Sequence, residues 1–218
     1  MKKYLFIPVA CLLAAFGLTA CDNDEMPQVT PTATGTMTDL EGNEYPWVRI
    51  GGLDWMAADL KCGEPFDESE EALACIEEYG NFYYIDEALA NCPEGWRLPT
   101  DEDWQSLERA LGMPEGDIAS LGWRGHCAWL MKQSAADGGT GLSMSTNGYM
   151  CTSVSFGWED WNYYGEYGCY WTSTKDAYPG ECYYFRKICA VTDQVMRQSI
   201  NSEETRLSVR YVRDAVNE

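Results

Sequence analysis

The stretch CPEGWRLPTDEDW, Cys92 to Trp104, says most about the fold in the fewest residues. Thr100 with Asp103 three residues later is a capping-box pattern: the hydroxyl takes an orphan backbone N–H and the carboxylate reaches back to the cap. A helix is therefore expected to start near Asp101. Trp104, Leu107 and Leu111 share one face of that helix, and Gly112 and Pro114 stop it. Ahead of it, Pro93, Gly95 and Pro99 forbid regular structure, so Trp96 and Leu98 are expected to plug a core from an irregular loop.

At the N-terminus, Lys2 and Lys3 precede an apolar run from Tyr4 to Gly17, which has the length of an export signal and is short for a membrane span. The run ends in Leu18-Thr19-Ala20-Cys21, which resembles a bacterial lipobox. Residues 1–20 are thus expected to be a lipoprotein signal peptide, with Cys21 lipidated and serving as the membrane anchor. Residues 21–35 are acidic, then rich in Pro and Thr, and read as a flexible tether. Asp22, Asp24 and Glu25 look like the acidic signal that sends lipoproteins of Bacteroidota-type bacteria to the outer face of the outer membrane.

The whole chain carries a formal charge of −20, and removal of the two lysines with the signal leaves −22. Such a balance disfavours nucleic acid and anionic headgroups as partners. Ten cysteines become eight once Cys11 is cleaved off and Cys21 is lipidated: Cys62, Cys75, Cys92, Cys127, Cys151, Cys169, Cys182 and Cys189. An even number in an exported chain reads as disulfide bracing, with connectivity open; Cys62 with Cys75, bracketing a polar loop, is the first pair to test.

Residues 36–218 read as a single domain. Met37–Asp39 and Tyr45–Ile50 flank the hairpin signal Glu41-Gly42-Asn43, and Gly51-Gly52 leads into a segment from Leu53 to Leu60. A helical piece is expected over Glu68–Glu77, and a first full helix over Tyr84–Cys92, closed by Pro93. Strands are expected at Leu142–Ser145, Tyr149–Phe156 and Gly168–Thr174, with Glu181–Ile188 and Val191–Ser199 as a hairpin. Arg206–Arg213 alternates as a terminal strand, with Leu207, Val209 and Tyr211 on its one buried face.

Five blocks in order resemble the Fibrobacter succinogenes major paralogous domain of secreted and surface proteins. They are VRIGGLDWMAADL (Val48–Leu60), YGNFYYIDEALANCPEGWRLPTDEDWQSL (Tyr79–Leu107), YWTST (Tyr170–Thr174), CYYFRKI (Cys182–Ile188) and LSVRYVRD (Leu207–Asp214). Asp59 stands where that family tends to have Asn, Ile85 where a Trp is usual, and Tyr211 where a Cys is frequent. The Trp-Arg-Leu-Pro-Thr pattern is also similar to the formylglycine-generating sulfatase-modifying enzymes. That resemblance implies an α+β, C-type-lectin-like fold: two helices packed on a small, mostly antiparallel, irregular sheet with long loops. Trp55, Trp96, Trp104 and Trp171 lie in the family motifs and are the expected core tryptophans.

For chemistry the sequence offers little. The only histidine, His126, has no nucleophile motif beside it, and no zinc or phosphate-binding pattern occurs. The formylglycine-generating enzymes hold copper on a late cysteine pair, for which Cys182 and Cys189 are the available candidates, so an oxidoreductase is the alternative reading. Binding has more support. Trp158, Trp161, Tyr163, Tyr164 and Tyr167 crowd into one loop with Glu159, Asp160 and Glu166. Rings can stack on a sugar or anchor a protein partner while carboxylates take its donors. The same carboxylates are candidates for a structural Ca²⁺, without the spaced ligands of an EF-hand; no other cofactor is expected. The leading expectation is a non-catalytic domain that binds or adheres to a glycan or an extracellular protein, and a third possibility is a structural subunit of a surface assembly.

Overall fold

A computed structural model describes residues 28–136, 138–153, 158–177 and 180–215. The signal segment, Cys21 and the acidic residues after it lie outside the described residues. Asp39 makes the first reversal: its carboxylate accepts the N–H groups of Glu41 and Asn43, each at 2.9 Å, an Asx-type turn. The turn joins β1 (Thr34–Thr38) to β2 (Glu44–Ile50), antiparallel. Gly51 and Gly52, at φ 64° and 83°, then reverse the chain into β3 (Leu53–Met56). Thr32–Gly35, assigned by composition to the tether, is tied to β2: the Thr32 N–H reaches the Arg49 carbonyl at 3.0 Å, and Thr34 pairs with Val48.

Three helices follow. Ser69 caps α1 (Glu70–Tyr79) by accepting the Ala72 N–H at 3.2 Å. The Glu87 carboxylate accepts the Tyr84 N–H at 2.9 Å ahead of α2 (Ile85–Ala90). The capping box at Thr100 and Asp103 forms as the spacing predicts and opens α3 (Asp101–Ala110). Past α3 come β4 (Gly122–Arg124), the short α4 (Ala128–Lys132), β5 (Tyr149–Ser153), β6 (Trp158–Asn162) and β7 (Tyr167–Lys175). The chain finishes with β8 (Cys182–Cys189), β9 (Val195–Asn201), β10 (Thr205–Arg206) and β11 (Val212–Asp214).

The fold is α+β, as expected, but the count differs from two helices on one sheet. The described residues form four helices and three antiparallel sheets, ordered β1-β2-β3-β11, β10-β5-β6 and β4-β9-β8-β7. Leu142–Ser145 is not a strand. Ser143 sits at φ 48°, and the Leu142 and Ser143 carbonyls accept the Arg210 guanidinium at 2.6 and 2.9 Å, so a side chain takes the place of a ladder. The terminal segment is not one strand with one buried face. It breaks between β10 and β11, where Leu207 pairs with Tyr83, Ser208 bridges Tyr170, and the Val209 carbonyl takes the Leu60 N–H at 3.1 Å. Because it threads between sheets, Ser208 and Arg210 are as buried as Leu207 and Tyr211.

Trp55, Trp104 and Trp171 are core residues, each no more than 1% exposed. Trp96 is half-buried instead: with Trp47 it flanks the Arg213 guanidinium, 4.8 and 4.9 Å from the two rings. Arg97 pairs with Asp103 and reaches Asp214 at 3.2 Å. A buried ionic cluster crosses from α3 to the third sheet. Asp101 accepts Arg186 and Arg197 at 2.7 Å each, while Glu108 accepts Arg186 at 2.6 Å and Arg124 at 2.9 Å.

Burial alone pushes the Asp101 pKa up, but hydrogen bonds from Arg197 and the charge of Arg186 outweigh it and lower the pKa to about 2. A depressed folded value contributes stability that is present above the unfolded value of about 4 and lost as pH falls through the folded one. Asp101→Asn is therefore expected to be less stable at neutral pH and to flatten the fall in stability between about pH 4 and pH 2. Denaturant titrations at stepped pH measure that slope.

Candidate functional site

The segment expected to be an aromatic loop is a hairpin. β6 pairs with β5, Met150 opposite Trp161 and Cys151 opposite Asp160, and the turn at Tyr163–Glu166 leads into β7. Tyr163 takes φ 62°, a conformation costly for a bulky side chain, and Gly165 takes φ 76°. The hairpin packs closely on its neighbours: a Cβ on Gly148 would meet the Asn162 carbonyl oxygen at 2.3 Å, and one on Gly168 the Ser145 carbonyl oxygen at 2.0 Å. Glycine is needed at both places.

Strand alternation divides the aromatic residues between two faces. On one, Tyr149 stacks on Tyr163 at 5.6 Å, Tyr163 meets Tyr167 edge-on at 5.4 Å, and Lys187 sits among them. Its ammonium is 3.9 Å from the Tyr167 ring centre, 5.2 Å from Tyr149 and 5.3 Å from Tyr163. That cage is filled by the protein itself. On the other face, Trp161 packs on Phe66 at 5.5 Å and on Tyr164 at 5.1 Å, and Tyr164 meets Tyr79 at 6.0 Å. Here a space is left open.

That space is a cavity of ≈ 160 Å³ between β5–β6 and the start of α1. Buried Phe66, Ala72 and Met150 form its bottom, half-buried Trp161 a wall, and exposed Asp67, Ser69 and Glu71 its mouth. The Trp161 indole N–H donates to the Asn147 carbonyl at 2.9 Å, which fixes the ring. Asp67 accepts the Ser69 N–H at 2.8 Å, and bonds from the Ser69 hydroxyl and N–H hold its carboxyl below the ordinary value. Two larger hollows, of ≈ 330 and ≈ 360 Å³, offer no open ring; the one aromatic there, Tyr84, lies under the Arg206 guanidinium at 4.4 Å.

Of the expected ligand residues, the structure brings Trp161 and Tyr164 toward the cavity side and turns Tyr163 and Tyr167 to Lys187. Asp160 and Glu166 are exposed. The side chains of Trp158 and Glu159 lie outside the described residues. Among the described residues no group of three or more His, Cys, Asp or Glu could hold a metal ion, and no helix is long and apolar enough to cross a membrane. His126 is exposed in the turn between β4 and α4. Phe66, Asp67, Ser69 and Glu71 fall in the stretch between Cys62 and Cys75 that reads as a polar loop; the signal that marks them is Ser69, the cap of α1, three residues after the buried Phe66.

The cysteines correct one expectation. Cys182 and Cys189 bound β8, so at about 3.3 Å per residue they stand roughly 23 Å apart, and an odd spacing puts them on opposite faces. They cannot share a copper ion. All eight described cysteines carry free thiols in the structure.

The family described as the Fibrobacter succinogenes major domain matches residues 48–213. The chain belongs to this family. Compared with curated proteins and with solved structures, it matches none. Asp59, Tyr211 and Ile85, singled out in the sequence motifs, each have defined partners. Asp59 takes the buried Arg210 guanidinium and the Ser145 hydroxyl, the latter at 2.6 Å. The Tyr211 hydroxyl donates to the Ala88 carbonyl at 2.6 Å, tying the terminal segment to α2. Ile85 packs in the cluster around Trp171.

Proposed function

We propose that this family member is a surface-exposed bacterial lipoprotein whose domain binds an extracellular ligand, glycan or protein, without chemistry. The observation that carries the reading is Trp161: a ring from the aromatic segment, fixed by its N–H, walls an open cavity rather than filling the core. Anchoring through Cys21 and display on the outer face rest on the lipobox-like run and on Asp22, Asp24 and Glu25. A C-type-lectin-like scaffold is the proposed finer class of the fold. In support, β11, the last strand, joins the sheet built by the first three strands, beside β3.

Disulfide bracing belongs to the same proposal, with the exported, even cysteine count as its support. The bridge between Gly148 and Gly168 sets β5 beside β7, and Cys151 and Cys169 both lie near Tyr149. Peptide mapping without reduction is expected to recover Cys151 linked to Cys169; recovery of eight free thiols from exported protein removes the bracing.

The binding reading is tested by a glycan and extracellular-protein screen, with hits repeated on Trp161→Ala. A saturable hit that weakens at least tenfold in a folded variant supports the cavity. Silence across both screens moves the assignment to a structural subunit of a surface assembly. Loss of lipid labelling in Cys21→Ser checks the anchor.

A further inference from the structure

The polar groups around the Trp161 cavity are one-sided. Trp161 has its N–H bound to Asn147, so its ring brings the cavity an aromatic wall and no free donor. Phe66, Ala72 and Met150 add no side-chain donor. The mouth holds the Asp67 and Glu71 carboxylates, which accept and cannot donate when ionised, and Ser69, whose hydroxyl is already bonded to Asp67. Among the described residues no Lys, Arg or His lines the space. A ligand that satisfies this surroundings must bring donors and positive charge.

We infer that the cavity takes one cationic side chain, a lysine ammonium or arginine guanidinium, presented by a basic extracellular polypeptide. This rests on the binding reading above and names its ligand. Size agrees. A cavity of about 150 Å³ holds one benzene, so ≈ 160 Å³ accommodates the end of one side chain and not an oligosaccharide. An aromatic wall and an anionic mouth are the two elements that hold cations, by attraction to the ring face and by charge-assisted hydrogen bonds. The same protein already seats Lys187 over Tyr167 at 3.9 Å on the other face of the hairpin.

One term opposes the assignment. The mouth lies at the N-terminus of α1, whose macrodipole places about half a positive charge there. Two full carboxylates at the mouth and Glu70 beside them outweigh it. The formal charge of −20 also raises the local concentration of cationic ligands.

The test titrates the full chain, purified in detergent, with tetralysine, tetraarginine, tetraglutamate and neutral methyl glycosides, following tryptophan fluorescence and heat. Expected is saturable binding of tetralysine or tetraarginine that weakens several-fold between about 20 and 200 mM salt. It should weaken at least tenfold in Asp67→Asn/Glu71→Gln. Both side chains are exposed, so the fold should stand, as an unchanged melting curve would show. The control Glu94→Gln/Glu102→Gln removes the same charge from other exposed positions and should cost little. Equal losses in the two double variants reduce the effect to net charge and overturn the site. Saturable glycoside binding without a response to either oligocation overturns the cation assignment and leaves the binding reading. No response to these probes or in the screens overturns both.

Discussion

Glu108→Ala is expected to destabilise the protein by about 3–5 kcal/mol, the range for removing one partner of a buried ion pair. The carboxylate is fully buried on α3, where it takes the Arg186 Nε at 2.6 Å and the Arg124 Nη2 at 2.9 Å on different oxygens. Both arginines are themselves at most 4% exposed. Truncation removes the carboxylate that both guanidiniums share and leaves their buried charge under-compensated. Asp101 still holds the far side of Arg186, so the loss falls most heavily on Arg124, whose remaining partners are the Ser120 carbonyl at 3.0 Å and the Met113 sulfur at 2.6 Å. Such a loss is a large share of the 5–15 kcal/mol that ordinary domains possess. Denaturant unfolding of wild type and variant measures it. Glu108→Gln should lose less, because an amide keeps one acceptor. A shift below about 1 kcal/mol for Glu108→Ala would mean that the cluster contributes no net stability.

That cluster shows where reading a sequence stops. The α3 face was legible through Trp104, Leu107 and Leu111, because apolar residues at three- and four-residue spacing have one physical explanation. Asp101 and Glu108 lie on the same face, seven residues apart, yet acids in a chain with 35 of them read as solvated surface. Their burial depends on Arg124, Arg186 and Arg197, brought from β4, β8 and β9 by sheet pairing that no local pattern specifies. The same holds for Arg210, placed by alternation on an open face and in fact buried against Asp59. The hairpins and the capping box were legible because each is settled within five residues. The cavity was half legible: Trp161 was in view, whereas Phe66 and Met150 meet it only through tertiary packing.

Trp104→Ala is the second large loss, also about 3–5 kcal/mol, the range for truncating a buried tryptophan. The ring is fully buried where α3 meets two sheets. It packs edge-on against Trp55 at 5.1 Å and lies 5.9 Å from Tyr170, while its N–H donates to the Trp171 carbonyl at 3.3 Å. The Arg186 guanidinium is 6.0 Å from its ring, so the truncation also loosens one wall of the ionic cluster. Its cost should therefore not add independently to that of Glu108→Ala, since residues sharing a partner couple by about 0.5–3 kcal/mol. Trp104→Phe separates the contributions: it keeps most of the apolar volume and loses the N–H, and is expected to cost about 1–2 kcal/mol. Because Trp104 belongs to the cluster around Trp55 and the cavity bottom to the separate cluster of Phe66, Phe82 and Met150, Trp104→Phe should lower the unfolding midpoint while leaving ligand titrations unchanged. A variant that lost binding in proportion to stability would show that the cavity is held open by the main core rather than by the β5–β6 hairpin and α1.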